Sequence, residues 1–187
     1  MKVLVACEYS GTIRDAFAAR GHKAMSCDLL ETEVPGPHYC GDIRDIIHYK
    51  WDLMIAHPPC TYLCNGGLHW RLSRNERWAL QEEALDFVRM LMALPIPKIC
   101  IENPPGLIGS QIRKADQSIH PWEFGDETEQ KMTSLWLKGL PKLIPERFLA
   151  REERDYTFQD MPQIKNRGKI KSKMFQSIAK AMAEQWG

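Results

Sequence analysis

The chain has 187 residues, 44% of them hydrophobic and 26% charged, with 25 Lys and Arg against 24 Asp and Glu. That size and balance suit one globular domain over 1–187 with a core of its own, and exclude disordered, collagen-like and coiled-coil chains. A formal charge of +1 gives no global pull towards nucleic acid, so any such contact must come from a local basic patch.

The chain opens with an apolar, β-branched run, Lys2–Cys7, which predicts a strand. Glu8–Gly11 reads as a turn. Thr12–Arg20 follows as a helix, with Ile13, Ala16 and Phe17 on one face and Gly21 as its stop. Lys23–Cys27 is a second strand ending at Asp28, and His38–Cys40 a third ending near Asp42. Asp52–Ala56 is a fourth, running into His57-Pro58-Pro59-Cys60. A long helix is predicted over Asn75–Ala93, with Leu80, Ala84, Phe87, Val88 and Leu91 as its buried stripe. Lys98–Ile101 is a fifth strand, leading into Glu102-Asn103-Pro104-Pro105. Ser118–His120 and Ser134–Leu137 read as two further strands, and Leu140–Pro162 as extended loop. A closing helix carries Phe175, Ile178, Ala179, Met182 and Trp186 on one face, with Ser172 as its expected N-cap. No run approaches the ~20 apolar residues of a membrane span, and the apolar opening breaks at Glu8. Neither a membrane segment nor a secretory leader is therefore expected, and the expected location is the cytoplasm. The six cysteines are expected to be free thiols.

Strands alternating with helices predict a mostly parallel sheet flanked by helices. In such sheets ligands bind outside the carboxyl ends of the strands. The polar signals fall at those ends: Glu8, Asp28, Asp42, Cys60 and Glu102. The turn at Cys7–Gly11, with the helix behind it and Asp28 roughly 20 residues on, has the layout of a nucleotide-cofactor cradle. It lacks the glycines a dinucleotide needs, and Glu8 would repel phosphate while tolerating a cation. A phosphate-free cofactor fits better. His57-Pro58-Pro59-Cys60 is a stiff loop presenting a thiol, which suits nucleophilic catalysis. Glu102 on the neighbouring strand end would place a carboxyl close to that thiol, where it could protonate a ring nitrogen of a bound base. His57, Cys60, Cys64 and His69 compete as zinc ligands, but two prolines stiffen the lead-in to Cys60, and no metal is expected.

This order of features resembles the DNA cytosine carbon-5 methyltransferase family, most closely its short phage-type members. The residues that carry the likeness are the cofactor turn, Asp28, Asp42, Pro58-Pro59-Cys60 and Glu102-Asn103. The tail Lys171–Ala183 is similar to the family's last motif, which returns to the cofactor and implicates Ser172. The resemblance implies a Rossmann-like S-adenosylmethionine-dependent methyltransferase fold. It implies attack by Cys60 on carbon 6 of a flipped cytosine and binding of ring nitrogen 3 by Glu102. Glu8, Gly11, Asp28, Asp42, Pro58 and Ser172 would line the cofactor site. The family's Gln-x-Arg-x-Arg motif has only a fragment here, Gln111-Ile112-Arg113, and Glu102-Asn103 is followed by Pro where the family has Val. The chain has no room for a separate target-recognition domain. Contacts to double- or single-stranded DNA would then fall to Arg71, Arg74 and Arg77 after the Asn65-Gly66-Gly67 turn, and to Lys169 and Lys171 in the basic run Lys165–Lys173. A protein partner could supply specificity. Alternatives are transfer of a modified group such as carboxymethyl from an altered cofactor, or a non-catalytic DNA-binding accessory subunit. An adenine N6 methyltransferase would need an aromatic residue after Asn103-Pro104-Pro105, where Gly106 stands.

Overall fold

The computed structural model of the protein describes residues 1–64, 73–157, 165 and 167–187, leaving aside the side chains of 167 and 169. Seven strands form one sheet in the order β3-β2-β1-β4-β5-β7-β6. They are β1 (Lys2–Ala6), β2 (Lys23–Asp28), β3 (His38–Cys40), β4 (Leu53–Ala56), β5 (Lys98–Asn103), β6 (Gln117–Ile119) and β7 (Thr133–Lys138). The pairings from β3 through β5 are all parallel, while β7 runs antiparallel to both β5 and β6. This is an α/β Rossmann-like sheet, and its central strands read as unbroken apolar runs because both faces are covered.

Side chains alternate between the two faces with the strand period of two. Val3 and Val5 point into one core layer with Ile13 and Phe17 of α1 (Thr12–Ala19) and Met182 and Trp186 of the C-terminal helix. Leu4 and Ala6 point into the opposite layer with Leu85, Val88 and Leu91 of α2 (Arg74–Ala93). Leu80, Ala84 and Phe87, expected in the buried stripe of α2, are only half-buried and line a cavity. A short helix, α3 (Leu107–Gln111), follows β5.

The C-terminal segment departs from the sequence expectation. Ser172 does not cap the last helix. It ends a separate short helix, α4 (Arg167–Ser172), and α5 (Gln176–Trp186) starts after Phe175, which makes no side-chain capping bond. The Ser172 hydroxyl is engaged elsewhere, 3.1 Å from the Tyr9 hydroxyl. That tertiary contact overrides the local capping preference and fastens the tail to the turn after β1.

Arg14 explains much of the first layer's upper edge. Its guanidinium is fully buried and donates to Ser26, Thr32, Val34 O and Pro35 O, besides pairing with Asp15 at 2.8 Å. This clamps the β2–β3 connection over the turn after β1. A Cβ at Gly11 would lie 2.5 Å from Arg14 Nη2, and Gly11 itself adopts φ 76°, so this position requires glycine on both counts.

Candidate active site

The carboxyl ends of β1, β2, β4 and β5 meet at one rim, and two adjoining hollows lie on it. The inner pocket has a volume of about 100 Å³, and Glu8, His57, Cys60, Glu102, Asn103 and Lys131 are among its lining. The outer cavity has a volume of about 390 Å³ and takes its polar groups from Asp28, Asp42, Arg44 and Glu83. Cys7, Pro58 and Pro59 belong to both, forming the wall between them.

The inner pocket is built from two strand ends. β4 delivers the His57-Pro58-Pro59-Cys60 loop, whose backbone is anchored by the His57 N–H donating to Ala6 O at 2.9 Å. Cys60 then opens a 3₁₀ turn, Cys60–Tyr62. β5 delivers Glu102 and Asn103 while still in strand geometry. Three links hold the two ends together. Asn103 Nδ2 donates to Pro58 O at 2.7 Å, Leu107 N donates to Leu63 O at 2.7 Å, and Cys64 and Gly106 form an isolated β-bridge. A Cβ on Gly106 would run into Leu63 O, so the close approach of the loops depends on glycine there.

Both oxygens of Glu102 are occupied. His57 Nδ1 lies 2.9 Å from Oε2, and the Thr133 hydroxyl donates to Oε1. Burial alone would raise this carboxyl, but the hydrogen bond from His57, the Lys131 ammonium and the Thr133 hydroxyl outweigh it and hold it below the usual carboxylate range. The Lys131 ammonium is shifted down by burial against the pull of Glu102 and Cys60, and Nζ donates to Lys171 O at 3.0 Å. The Cys60 thiol is shifted up, first by its hydrogen bond with Cys64, then by burial and by the Cys64 and Glu102 charges. At neutral pH the resting side chain is therefore a thiol.

The sequence-derived residues divide as follows. Cys60 and Glu102 meet in the inner pocket, joined there by Glu8, Ser172 and Lys171. Asp28 and Asp42 converge on the outer cavity, with Pro58 in the shared wall. Asp28 Oδ1 accepts from Leu30 N at 3.0 Å, and Asp42 caps the following 3₁₀ turn while pairing with Arg44 at 2.9 Å. Glu8 accepts from the N–H of Ile13 at 2.7 Å, so its charge sits on the first turn of α1. Gly11 lies behind this turn against Arg14 and Val34 and lines neither hollow. Arg74 is exposed and Arg77 half-buried at the start of α2, and neither touches the hollows. Arg71 lies outside the described residues, as do His69 and the Asn65-Gly66-Gly67 turn, and of the Lys169 side chain nothing is described. Arg113 is remote, donating to Leu137 O and pairing with Asp116 at 2.8 Å. Thr133, the first residue of β7, and Lys131 just before it reach Glu102, and no sequence signal points to them. Among the described residues, no group of three or more His, Cys, Asp and Glu is placed to hold a metal, and no helix is long and apolar enough to cross a membrane.

No protein-family model matches the chain, and no curated protein matches it. Among solved structures, one similar chain is a prophage-encoded E. coli protein assigned as a DNA modification methyltransferase. It shares 15% identity with a TM-score of 0.49, over 73% of this chain and 46% of that one. This chain thus spans less than half the length of that relative. At this distance the likeness carries no argument about the site. The mostly parallel sheet with its antiparallel β7, flanked by helices, is the Rossmann-like α/β architecture expected from the sequence.

Proposed function

We propose that the protein is an S-adenosylmethionine-dependent DNA methyltransferase acting on carbon 5 of cytosine, with Cys60 as nucleophile. The observation that carries this reading is the meeting of Cys60 and Glu102 in one pocket that shares a wall with a cavity bearing Asp28 and Asp42. The outer cavity suits the cofactor. Its volume of about 390 Å³ lies in the range of small-molecule sites, and its polar groups are the carboxylates of Asp28, Asp42 and Glu83 with Arg44, which pairs with Asp42, set among apolar Leu29, Ile43 and Phe87. Carboxylates favour hydroxyl and amine donors and repel phosphate, so an adenosine without phosphates is the matching chemistry. Asp28 would hold the ribose hydroxyls and Asp42 the adenine amine. When bound, S-adenosylmethionine supplies an electrophilic methyl group.

The chain's own residues do the rest. Glu102 takes the Cys60 proton and, as a carboxylic acid, hands it to the ring nitrogen while the thiolate adds to carbon 6, which makes carbon 5 nucleophilic; the Lys131 ammonium tempers the negative charge that Cys60 and Glu102 bring together. Once carbon 5 is methylated, loss of its hydrogen to solvent as a proton expels the Cys60 thiolate, and the ring-nitrogen proton returns to it through Glu102. The inner pocket, at about 100 Å³, is below the size of ordinary ligand sites, so it admits one base and little more. A base must leave the helical stack to enter it. Residues 1–187 would act as one catalytic domain, with Lys171 at the pocket and Arg71, Arg74, Arg77 and Lys169 as phosphate contacts.

The test is transfer of a labelled methyl group to double- and single-stranded DNA, followed by nucleoside analysis. The expected product is 5-methyl-2′-deoxycytidine. Methylation of an exocyclic nitrogen, or of RNA alone, would contradict the proposal. The resting protonation of Cys60 favours a second reading, a non-catalytic accessory subunit. On that reading no methylated nucleoside forms although cofactor and DNA bind.

A further inference from the structure

Two buried polar atoms in the inner pocket have no hydrogen-bond partner among the described residues: His57 Nε2 and Asn103 Oδ1. Both residues line the pocket beside Glu102. Asn103 is 1% exposed, and the His57 side chain 11%. Buried polar atoms are nearly always satisfied, and leaving one alone is costly. Two such atoms in one pocket point to a ligand that completes them.

Their chemistry is fixed by what the other end of each side chain does. Asn103 Nδ2 donates to Pro58 O, so the atom left over is the carbonyl oxygen, an acceptor. His57 Nδ1 faces the Glu102 carboxylate, so it carries the hydrogen, and the neutral ring has a lone pair at Nε2. Both unsatisfied atoms are then acceptors, and they ask for N–H groups.

We propose that His57 and Asn103 set the base specificity of the pocket by accepting hydrogen bonds from the exocyclic amino group of the pyrimidine. Cytosine offers that amino group with two hydrogens. Uracil and thymine put a carbonyl oxygen in the same place, where it meets two lone pairs and leaves all three acceptors unsatisfied. Discrimination by an unpaired buried acceptor is large compared with discrimination by shape alone. The proposal rests on the reading of the inner pocket as a base site, and it adds a role for a histidine that the nucleophilic chemistry does not use.

The experiment is equilibrium binding, so it does not depend on turnover. Full-length protein loaded with S-adenosylhomocysteine is titrated with two short single-stranded oligonucleotides that differ by cytosine or deoxyuridine at their one pyrimidine. Wild type is expected to prefer cytosine about tenfold or more. His57→Asn keeps a donor towards Glu102 but has no atom at the Nε2 position, and its preference should collapse to within about twofold. His57→Gln places an amide oxygen near the Nε2 position and should recover part of it. Thermal melting and S-adenosylhomocysteine affinity report whether each variant is folded. Equal binding of the two oligonucleotides by wild type, or an unchanged preference in folded His57→Asn, overturns the proposal. So does a reversed preference, which a doubly protonated ring donating from Nε2 would produce. A cytosine preference lost in His57→Asn, with no methyl transfer by wild type, would uphold this inference and remove the proposed reaction instead.

Discussion

Cys60 illustrates how much a single neighbour can decide. The Pro58-Pro59-Cys60 sequence marks the proposed nucleophile, but its state at rest is set by Cys64, one turn on, whose hydrogen bond is the first cause of its raised thiol. Replacing Cys64 with Ala should therefore speed alkylation of Cys60 by iodoacetamide at pH 7.5 several-fold, read by peptide mass spectrometry. An unchanged rate would mean that burial, not Cys64, holds the proton. At the cofactor cavity, Asp28→Ala should weaken S-adenosylmethionine binding about tenfold or more by calorimetry, since a hydrogen bond to a charged group is worth about 1.5–3 kcal/mol. At the residue scale the sequence was readable where chemistry is local. Cys60, Glu102, Asp28 and Asp42 each stand at the end of a recognisable strand. The partners of Glu102 were not readable. His57 precedes it by 45 positions and Thr133 follows it by 31, and only the pairing of β5 with β4 and β7 brings them within bonding distance.

The elements were legible in proportion to their periodicity. β1 to β7 fall within a residue or two of the expected runs, and the central β1, β4 and β5 are the plainest, because buried parallel strands leave short apolar stretches bounded by turns. α2 is legible by its stripe, yet Leu80, Ala84 and Phe87 are only half-buried and wall a cavity, Ala84 and Phe87 at the margin of the core, since apolarity alone does not distinguish a packed surface from a cavity wall. α3 and α4 were missed because helices of five and six residues carry too little periodic signal. Two glycines make the element joints testable. Gly11→Ala would combine a left-handed backbone with overlap onto Arg14, costing about 1–3 kcal/mol in urea unfolding. Gly106→Ala would instead push the Cys60 loop away from the Glu102 strand end. Its expected signature is a loss of Cys60-dependent activity larger than the loss of stability implies, whereas a parallel decline of the two would argue that the contact is merely structural.

For the whole molecule, the sheet does two jobs at once. Its buried centre stabilises the fold, and its carboxyl edge lines up the two hollows that the proposed reaction needs. The buried carboxylate of Glu102 belongs both to the fold's interior and to the inner pocket. Its folded pKa lies below its ordinary value of 4.5, so its contribution to stability is present above that value and lost as pH falls through the folded pKa. Urea midpoints should therefore fall as pH drops below about 4.5, and fall less steeply in Glu102→Gln. An equal slope would place the acid sensitivity elsewhere. The central claim, that Cys60 attacks a cytosine held in the inner pocket, is tested most directly by covalent trapping. The protein is incubated with S-adenosylmethionine and DNA containing 5-fluorocytosine, and the mixture is run under denaturing conditions. The account predicts a stable protein–DNA adduct that requires the cofactor and is absent in Cys60→Ser. No adduct on double- or single-stranded DNA while cofactor binding is intact, or an adduct that persists in Cys60→Ser, would contradict it.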